Sequence, residues 1–319
     1  MQIASRRQFL GAGIAGVGIG IWPTSRLEAD PLGMPVGFQI YGVREQASKN
    51  LGETLREVAA IGYKRVELCS FPGYVNSGFG ALAQMKPADV RSAIENAGMR
   101  GESCHFQFRQ YDDGAIDQSI AYAKGLGLKY MVMSSPKQGT QNPNVTMDDW
   151  KWNFEHMNKV GERVKAANMQ FAYHNHGNEW KRIDGVLVYD ELLRSVDAQL
   201  VELQMDLGGV VSSGQDPIPY LENNPGRFCS LHVKDAKRGE TGHGSLELGK
   251  GDIDWSKLFL AAKKGGIKLT LWRWKLGLQT IRCRLCGSVT PIFISCQFRS
   301  WRGQPRQVSP TCMLPRMGL

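Results

Sequence analysis

The sequence predicts an α/β fold, a (β/α)8 TIM barrel of parallel strands ringed by helices, and three observations carry that reading. Short β-branched runs alternate with amphipathic segments from Met34 to about residue 268, and alternation over that length implies parallel strands joined by right-handed crossovers. Seven such units plus a further strand near Leu269–Trp272 give the count of a closed barrel. An open doubly wound sheet usually carries a Gly-rich phosphate turn after its first strand, whereas the first strand here runs into Tyr41-Gly42-Val43-Arg44-Glu45.

In chain order, the expected strands are Val36–Tyr41, Lys64–Leu68, Met99–His105, Tyr130–Met133, Gln170–His174, Val201–Met205 and Phe228–Val233. Between them, apolar residues recurring at helical spacing predict helices over Leu51–Ile61, Pro87–Ala97, Ile116–Leu126, Asp148–Ala167, Tyr189–Val196 and Ile218–Asn223. A seventh helix, Trp255–Lys264, starts after Asp254, whose carboxylate can accept an orphan backbone N–H. Gly62 and Gly98 stand where helices end and a left-handed cap is wanted. Gly249-Lys250-Gly251 lacks the spacing and the terminal Ser/Thr of a phosphate loop and reads as a turn leading to Asp254.

Composition narrows the function classes. With 319 residues, 42% hydrophobic and 22% charged, the chain can bury a large core, and disorder or collagen-like repetition is excluded. No apolar stretch reaches the length of a bilayer span, so a multi-span membrane protein is excluded too. The formal charge of +9 is a local matter: residues 269–319 hold eight basic residues and no acid, while the remaining 268 residues carry 31 basic against 30 acidic. That neutral body offers no groove for nucleic acid. At the other end, Ser5-Arg6-Arg7-Gln8-Phe9-Leu10 precedes a short Gly-rich apolar run, the pattern of a twin-arginine export signal over residues 1–29. The expectation is a periplasmic protein with no stable membrane span beyond that signal. Cys69, Cys104 and Cys229 lie in or beside strands and read as buried thiols.

Candidate chemistry sits at the strand ends. Side chains alternate faces along a strand. In the sixth strand Val201, Leu203 and Met205 oppose Glu202, Gln204 and Asp206. In the fifth, Phe171 and Tyr173 oppose His174 and, beyond it, His176; in the seventh, Leu231 and Val233 oppose Ser230, His232 and Lys234. The third ends at His105, and the second offers Glu67 on the face of Arg65. Polar groups inside a barrel are costly unless paired or ligated, and their gathering at the carboxyl ends of different strands is how such barrels build active sites. His156, within a helix, and His243, in a Gly-rich loop, default to the surface. A His, Asp and Glu set without cysteine suits a divalent metal, Mn2+ favoured, with Co2+, Zn2+ or Mg2+ as alternatives.

These stretches resemble the xylose isomerase-like TIM barrel superfamily, in its exported sugar phosphate isomerase/epimerase branch. The matching segments are Gly37–Arg44, Gly62–Glu67, Tyr173-His174-Asn175-His176 with Glu179, Met205–Gly208, Leu231–Asp235 and Gly249–Trp255. The resemblance implies a divalent metal held by Glu179 (or His176), Asp206, His232 and a glutamate on the eighth strand. It implies proton removal next to the carbonyl of a small carbohydrate, with a metal-stabilised enediolate. His174 or His176 would be the base and Lys234 would steady the oxyanion, while Glu67 and His105 would face the substrate. Some members use the same enolate to expel a leaving group and are lyases or dehydratases.

The chain departs from that family at its carboxyl end. After Gly265-Gly266-Ile267-Lys268 it reads Leu269-Thr270-Leu271-Trp272-Arg273-Trp274, and the last acidic residue anywhere is Asp254. The acid-free Arg, Cys, Trp, Ser and Pro composition of 269–319 is what a shifted reading frame produces, so the domain expected is a barrel over 34–268 followed by an aberrant tail. Resequencing the coding DNA decides this. The expected consequences are an open barrel with an unpaired edge beside the first strand and at most three protein ligands for the metal, hence an impaired enzyme or a non-catalytic remnant. Cys283-x-x-Cys286 with Cys296 and Cys312 lacks the tight second pair of a zinc module, and an abasic-site endonuclease of the same fold would need more histidines. Loops Phe71–Met85 and Ser134–Thr146 would set sugar specificity.

Overall fold

The protein is described from a computed structural model over residues 32–137, 144–240, 246 and 248–272. The signal segment, His243, and the tail beyond Trp272 with its cysteines lie outside these residues.

The alternating pattern folds as expected into eight parallel strands: β1 (Gly37–Gln39), β2 (Arg65–Cys69), β3 (Arg100–Phe106), β4 (Tyr130–Met133), β5 (Gln170–His174), β6 (Val201–Asp206), β7 (Phe228–Val233) and β8 (Leu269–Trp272). They form a closed barrel in which each strand pairs with its sequence neighbours and β8 pairs with β1. A small antiparallel hairpin, Arg182–Ile183 with Val186–Leu187, stands apart from it.

Helices cover the outside: α1 (Arg44–Lys49), α2 (Leu51–Ile61), α3 (Pro87–Asn96), α4 (Ile116–Leu126), α5 (Met147–Ala166), α6 (Val188–Ser195), α7 (Leu207–Ser212), α8 (Pro217–Asn223) and α9 (Trp255–Lys264). Their buried stripes, such as Leu55 and Val58 on α2 or Val90 and Ile94 on α3, join the outward residues of the strands in one apolar cluster. That burial, worth about 1.5–3 kcal/mol per large aliphatic side chain, is the main cohesion of the fold. A second, smaller cluster (Tyr130, Val132, Ala172, Cys229, Leu269) contains inward residues of β4, β5 and β8. Among the described residues no helix is long and apolar enough to cross a membrane.

The unpaired edge expected beside the first strand is corrected. β8 bonds on both sides, with Leu269 opposite Ser230 of β7 and Leu271 opposite Gly37 of β1. The reason is local: Leu-Thr-Leu-Trp keeps a strand's alternation, and the register turns Leu269 and Leu271 to the same inner face as Ser230, His232 and Gly37. Gly37 makes the closure possible, since a Cβ there would stand 2.9 Å from Leu271 Cδ2. The described part of β8 carries no carboxylate.

α1 and α7 escaped sequence reading. α7 matters most, because it begins at the end of β6 with Asp206 as its N-cap, whose side chain accepts the Gly209 N–H at 3.2 Å.

Candidate functional site

The inward residues of β2, β3, β5, β6 and β7 meet in one buried polar cluster. Glu67 of β2 is its hub. Its Oε1 accepts from Ser103 Oγ at 3.0 Å and from Gln204 Nε2 at 2.8 Å. Its Oε2 accepts from His232 Nε2 at 2.6 Å and Gln39 Nε2 at 3.3 Å, and His105 Nε2 lies 3.1 Å from it. The carboxylate has no exposure to solvent. Burial alone would raise its pKa, but the two imidazoles beside it reverse this and hold it well below the usual carboxylate range.

Around the hub stand three histidines whose ligand-capable atoms all lie within 4.8 Å of one another, His105, His174 and His232. They differ in what their nitrogens touch. His105 Nε2 donates to Gln204 Oε1 at 2.7 Å, which leaves Nδ1 to accept from Gln39 Nε2 at 3.1 Å, so the protein engages both nitrogens. His232 donates through Nε2 to Glu67, and its buried Nδ1 has no partner. His174 has no hydrogen-bond partner at either nitrogen, although its Nε2 lies 3.5 Å from Asp206 Oδ2. Burial drives His174 well below the ordinary imidazole range, helped by the neighbouring His232, His176, His105 and Lys234. It lowers His232 too, against the pull of Glu67. Both shifts favour the neutral ring, the state in which imidazole has a lone pair to give. Orphaned nitrogens at full burial are unusual in a folded protein, and beside an acidic oxygen they fit a divalent cation.

The rest of the mouth is built to hold these groups. Asp206 is paired with Lys234, and both are buried. Asn175 ties the turn after β5 to the end of β6: its Oδ1 accepts from the Asp206 N–H at 3.0 Å, and its Nδ2 donates to the Asp206 carbonyl at 3.4 Å. Gly209 lets the same turn approach α7, because a Cβ there would fall 2.4 Å from the His176 carbonyl oxygen. His176 is half-buried at this turn, its ring edge-on to His174 with centroids 4.7 Å apart. After β7, buried Asp235 accepts from Gly249 N at 2.6 Å and Trp255 Nε1 at 3.2 Å, so the two motifs at Leu231–Asp235 and Gly249–Trp255 form one clamp. Tyr41, Phe71, Tyr74 and Phe79 form an aromatic cluster in the segments after β1 and β2, with Phe71 stacked on Phe79 and Tyr74 edge-on to it.

The sequence-predicted residues divide. Asp206, His232, His174 and Lys234 converge, with His176 at their edge and with Glu67 and His105 deeper in the barrel. Glu179 goes elsewhere. It lies on a single 3-10 turn, Asn178–Trp180, and accepts from Tyr173 Oη at 2.5 Å and from the His176 N–H at 3.0 Å. Tyr173 belongs to the outward face of β5, so Glu179 is drawn behind the strand, and burial raises its pKa. Gln39 and Ser103 were not singled out, and Gln204 and Ser230 were placed on inward faces without a role, yet the four complete the hub, Ser230 Oγ accepting from Gln204 Nε2 at 2.9 Å. The available signal was an amide or hydroxyl on an inward strand position, affordable only if hydrogen-bonded. Away from the site, the half-buried His156 stacks on Trp152 and packs at a tilt against Phe108. Cys69, Cys104 and Cys229 are buried thiols outside any disulfide, and burial pushes the Cys229 thiol up to about 12.

The family described as xylose isomerase-like TIM barrel matches residues 55–271. An inosose dehydratase of Clostridium tetani is 34% identical over 98 residues, covering 30% of this chain and 32% of that enzyme's length. An inosose dehydratase of Salmonella agona is 23% identical over 220 residues, covering 64% of this chain and 69% of that enzyme. The crystal structure of a sugar phosphate isomerase/epimerase from Parabacteroides distasonis ATCC 8503 superposes with a TM-score of 0.61 at 25% identity, covering 77% of this chain and 88% of that one.

Proposed function

The chain belongs to the xylose isomerase-like TIM barrel family, and from that premise we propose that it is a divalent-metal-dependent isomerase or epimerase of a sugar or sugar derivative, working by proton abstraction next to a carbonyl. The observation that carries the reading is the pair of buried imidazoles, His174 and His232, with unpartnered nitrogens beside Asp206 at the barrel mouth. These three residues would hold the metal. Two histidines and a carboxylate leave coordination positions open for substrate, and imidazole donors suit Zn2+ or Co2+ at least as well as the Mn2+ favoured from sequence. When bound, the metal supplies Lewis acidity towards a substrate carbonyl.

The chain's own residues do the rest. His176, half-buried at the edge of the cluster, is the base that takes the proton from the carbon next to the carbonyl and returns it to the neighbouring carbon or the opposite face. Lys234 places positive charge beside the oxygen that becomes negative. Asn175 and Gly209 hold the His176 turn in place. Glu179, carried as a metal ligand from the family resemblance, is assigned instead to fastening that turn. Export through the twin-arginine pathway to the periplasm belongs to the same proposal.

A second reading, dehydration of a keto-polyol, is favoured by the curated relatives that are inosose dehydratases. It starts with the same proton abstraction and differs in expelling a hydroxyl group. One experiment addresses both. The protein loaded with Zn2+, Co2+ or Mn2+ is incubated in D2O with ketohexoses and a keto-inositol, and products are followed by NMR and mass. Deuterium next to the carbonyl, with or without isomerised product, supports the first reading, and loss of water supports the second. No exchange and no product with any metal contradicts both.

A further inference from the structure

We propose that Glu67 is a positioning residue: a buried carboxylate that fixes the tautomer and orientation of His232 so that Nδ1 is left as its ligating atom. The inference rests on the metal-centre reading above and deepens it. The expectation of a substrate-facing Glu67 conflicts with its surroundings. A carboxylate accepts about four hydrogen bonds, and this one already faces Ser103, Gln204, His232, His105 and Gln39 with no solvent exposure. Nothing is left for a substrate hydroxyl.

The shortest of these contacts is the 2.6 Å bond to His232 Nε2. Gln39, Ser103 and Gln204 all donate to the same carboxylate, which stands as an acceptor throughout, so Nε2 carries the proton and the lone pair resides on Nδ1, the nitrogen without a partner. Gln204 secures the hub. It uses Nε2 to donate to Glu67 and Ser230, so its Oε1 accepts from His105 Nε2, and His105 is held in the same Nε2–H form. Its stacked ring, 5.3 Å from that of His232 with 4° between the planes, packs against the ring that Glu67 orients. A carboxylate behind a metal-binding imidazole sets which nitrogen is presented and raises its basicity, and removing such a partner costs about ten- to a hundredfold in metal affinity.

The test compares the full chain with Glu67→Gln, using Zn2+ binding by calorimetry and the visible spectrum of bound Co2+. The expected result is a loss of about ten- to a hundredfold in Zn2+ affinity and an altered Co2+ spectrum, with far-UV circular dichroism retained. Because the variant can fail to fold, a second measurement uses the unmodified metal-free protein: long-range 1H–15N NMR of the His232 ring should show the Nε2–H tautomer alone. Equal Zn2+ affinity in the two proteins, or an Nδ1–H or mixed tautomer, overturns the inference and leaves the proposed function standing. If the unmodified protein binds neither ion, the proposed function fails, and the tautomer still decides the role of Glu67.

Discussion

Two glutamates, Glu67 and Glu179, are both sealed from solvent in this barrel, and their surroundings push them in opposite directions. Glu67 points into the ring of strands, where every neighbour is an N–H or O–H donor, and it is held ionised. Glu179 points out behind β5 towards a phenol and one backbone amide, and burial without a cationic partner favours its neutral form. Residue type and burial do not tell a carboxylate's role; the number and charge of the donors around it do.

The first way to break the contrast is truncation. Glu67→Ala removes the acceptor for His232, Ser103, Gln204 and Gln39 at once, and breaking such a buried set costs about 3–5 kcal/mol. Chemical denaturation should show a loss of that size, and a change under about 1 kcal/mol would mean that the hub is not holding the barrel interior together.

The second change acts on the turn that Glu179 fastens. Gly209→Ala forces the His176 carbonyl away from α7, and a displacement of about 1 Å at a catalytic group costs about a hundredfold in rate. The expected result is a fall in kcat of that order, with a loss of about 1–3 kcal/mol in stability from the overpacked turn. An unchanged kcat would remove His176 from the mechanism.

The smallest effect is the pH behaviour of Glu179→Gln. The folded-state pKa of Glu179 is raised, so its contribution to stability is full below the unfolded value of 4.5 and declines as pH rises through the folded value. Glutamine mimics the protonated acid. The variant should therefore match the parent below about pH 4.5 and gain on it towards pH 7. A variant that loses ground as pH rises would show that the carboxylate is needed in its charged form, as a metal ligand would be.

Much of this architecture was legible in the chain. Alternation along Val201–Asp206 and Phe228–Val233 put Asp206 and His232 on the inner face because a strand's geometry has a period of two. The same rule carried His174 to the cluster. It fails past the last strand residue: Glu179 follows a 3-10 turn, and a family motif does not say which side of β5 that turn faces. The rule places an amide but gives it no task, so Gln204 stood on the inner face without a role and Gln39 went unremarked, although the two choose the tautomer of His105. The strand over Leu269–Trp272 was legible too, but its closure of the barrel was discounted for a different reason. The composition beyond Lys268 reads as aberrant, yet Leu269 and Leu271 need only an inward apolar space and Gly37 opposite to pair.

Anomalous diffraction from crystals of the full chain grown with Zn2+, measured on both sides of the zinc absorption edge, is the most direct check on the central claim. The account predicts one strong peak within bonding distance of a nitrogen of His174, Nδ1 of His232 and a carboxylate oxygen of Asp206, with Glu67 bonded behind His232. No peak there, or a peak ligated by Glu179 in place of these imidazoles, would contradict it.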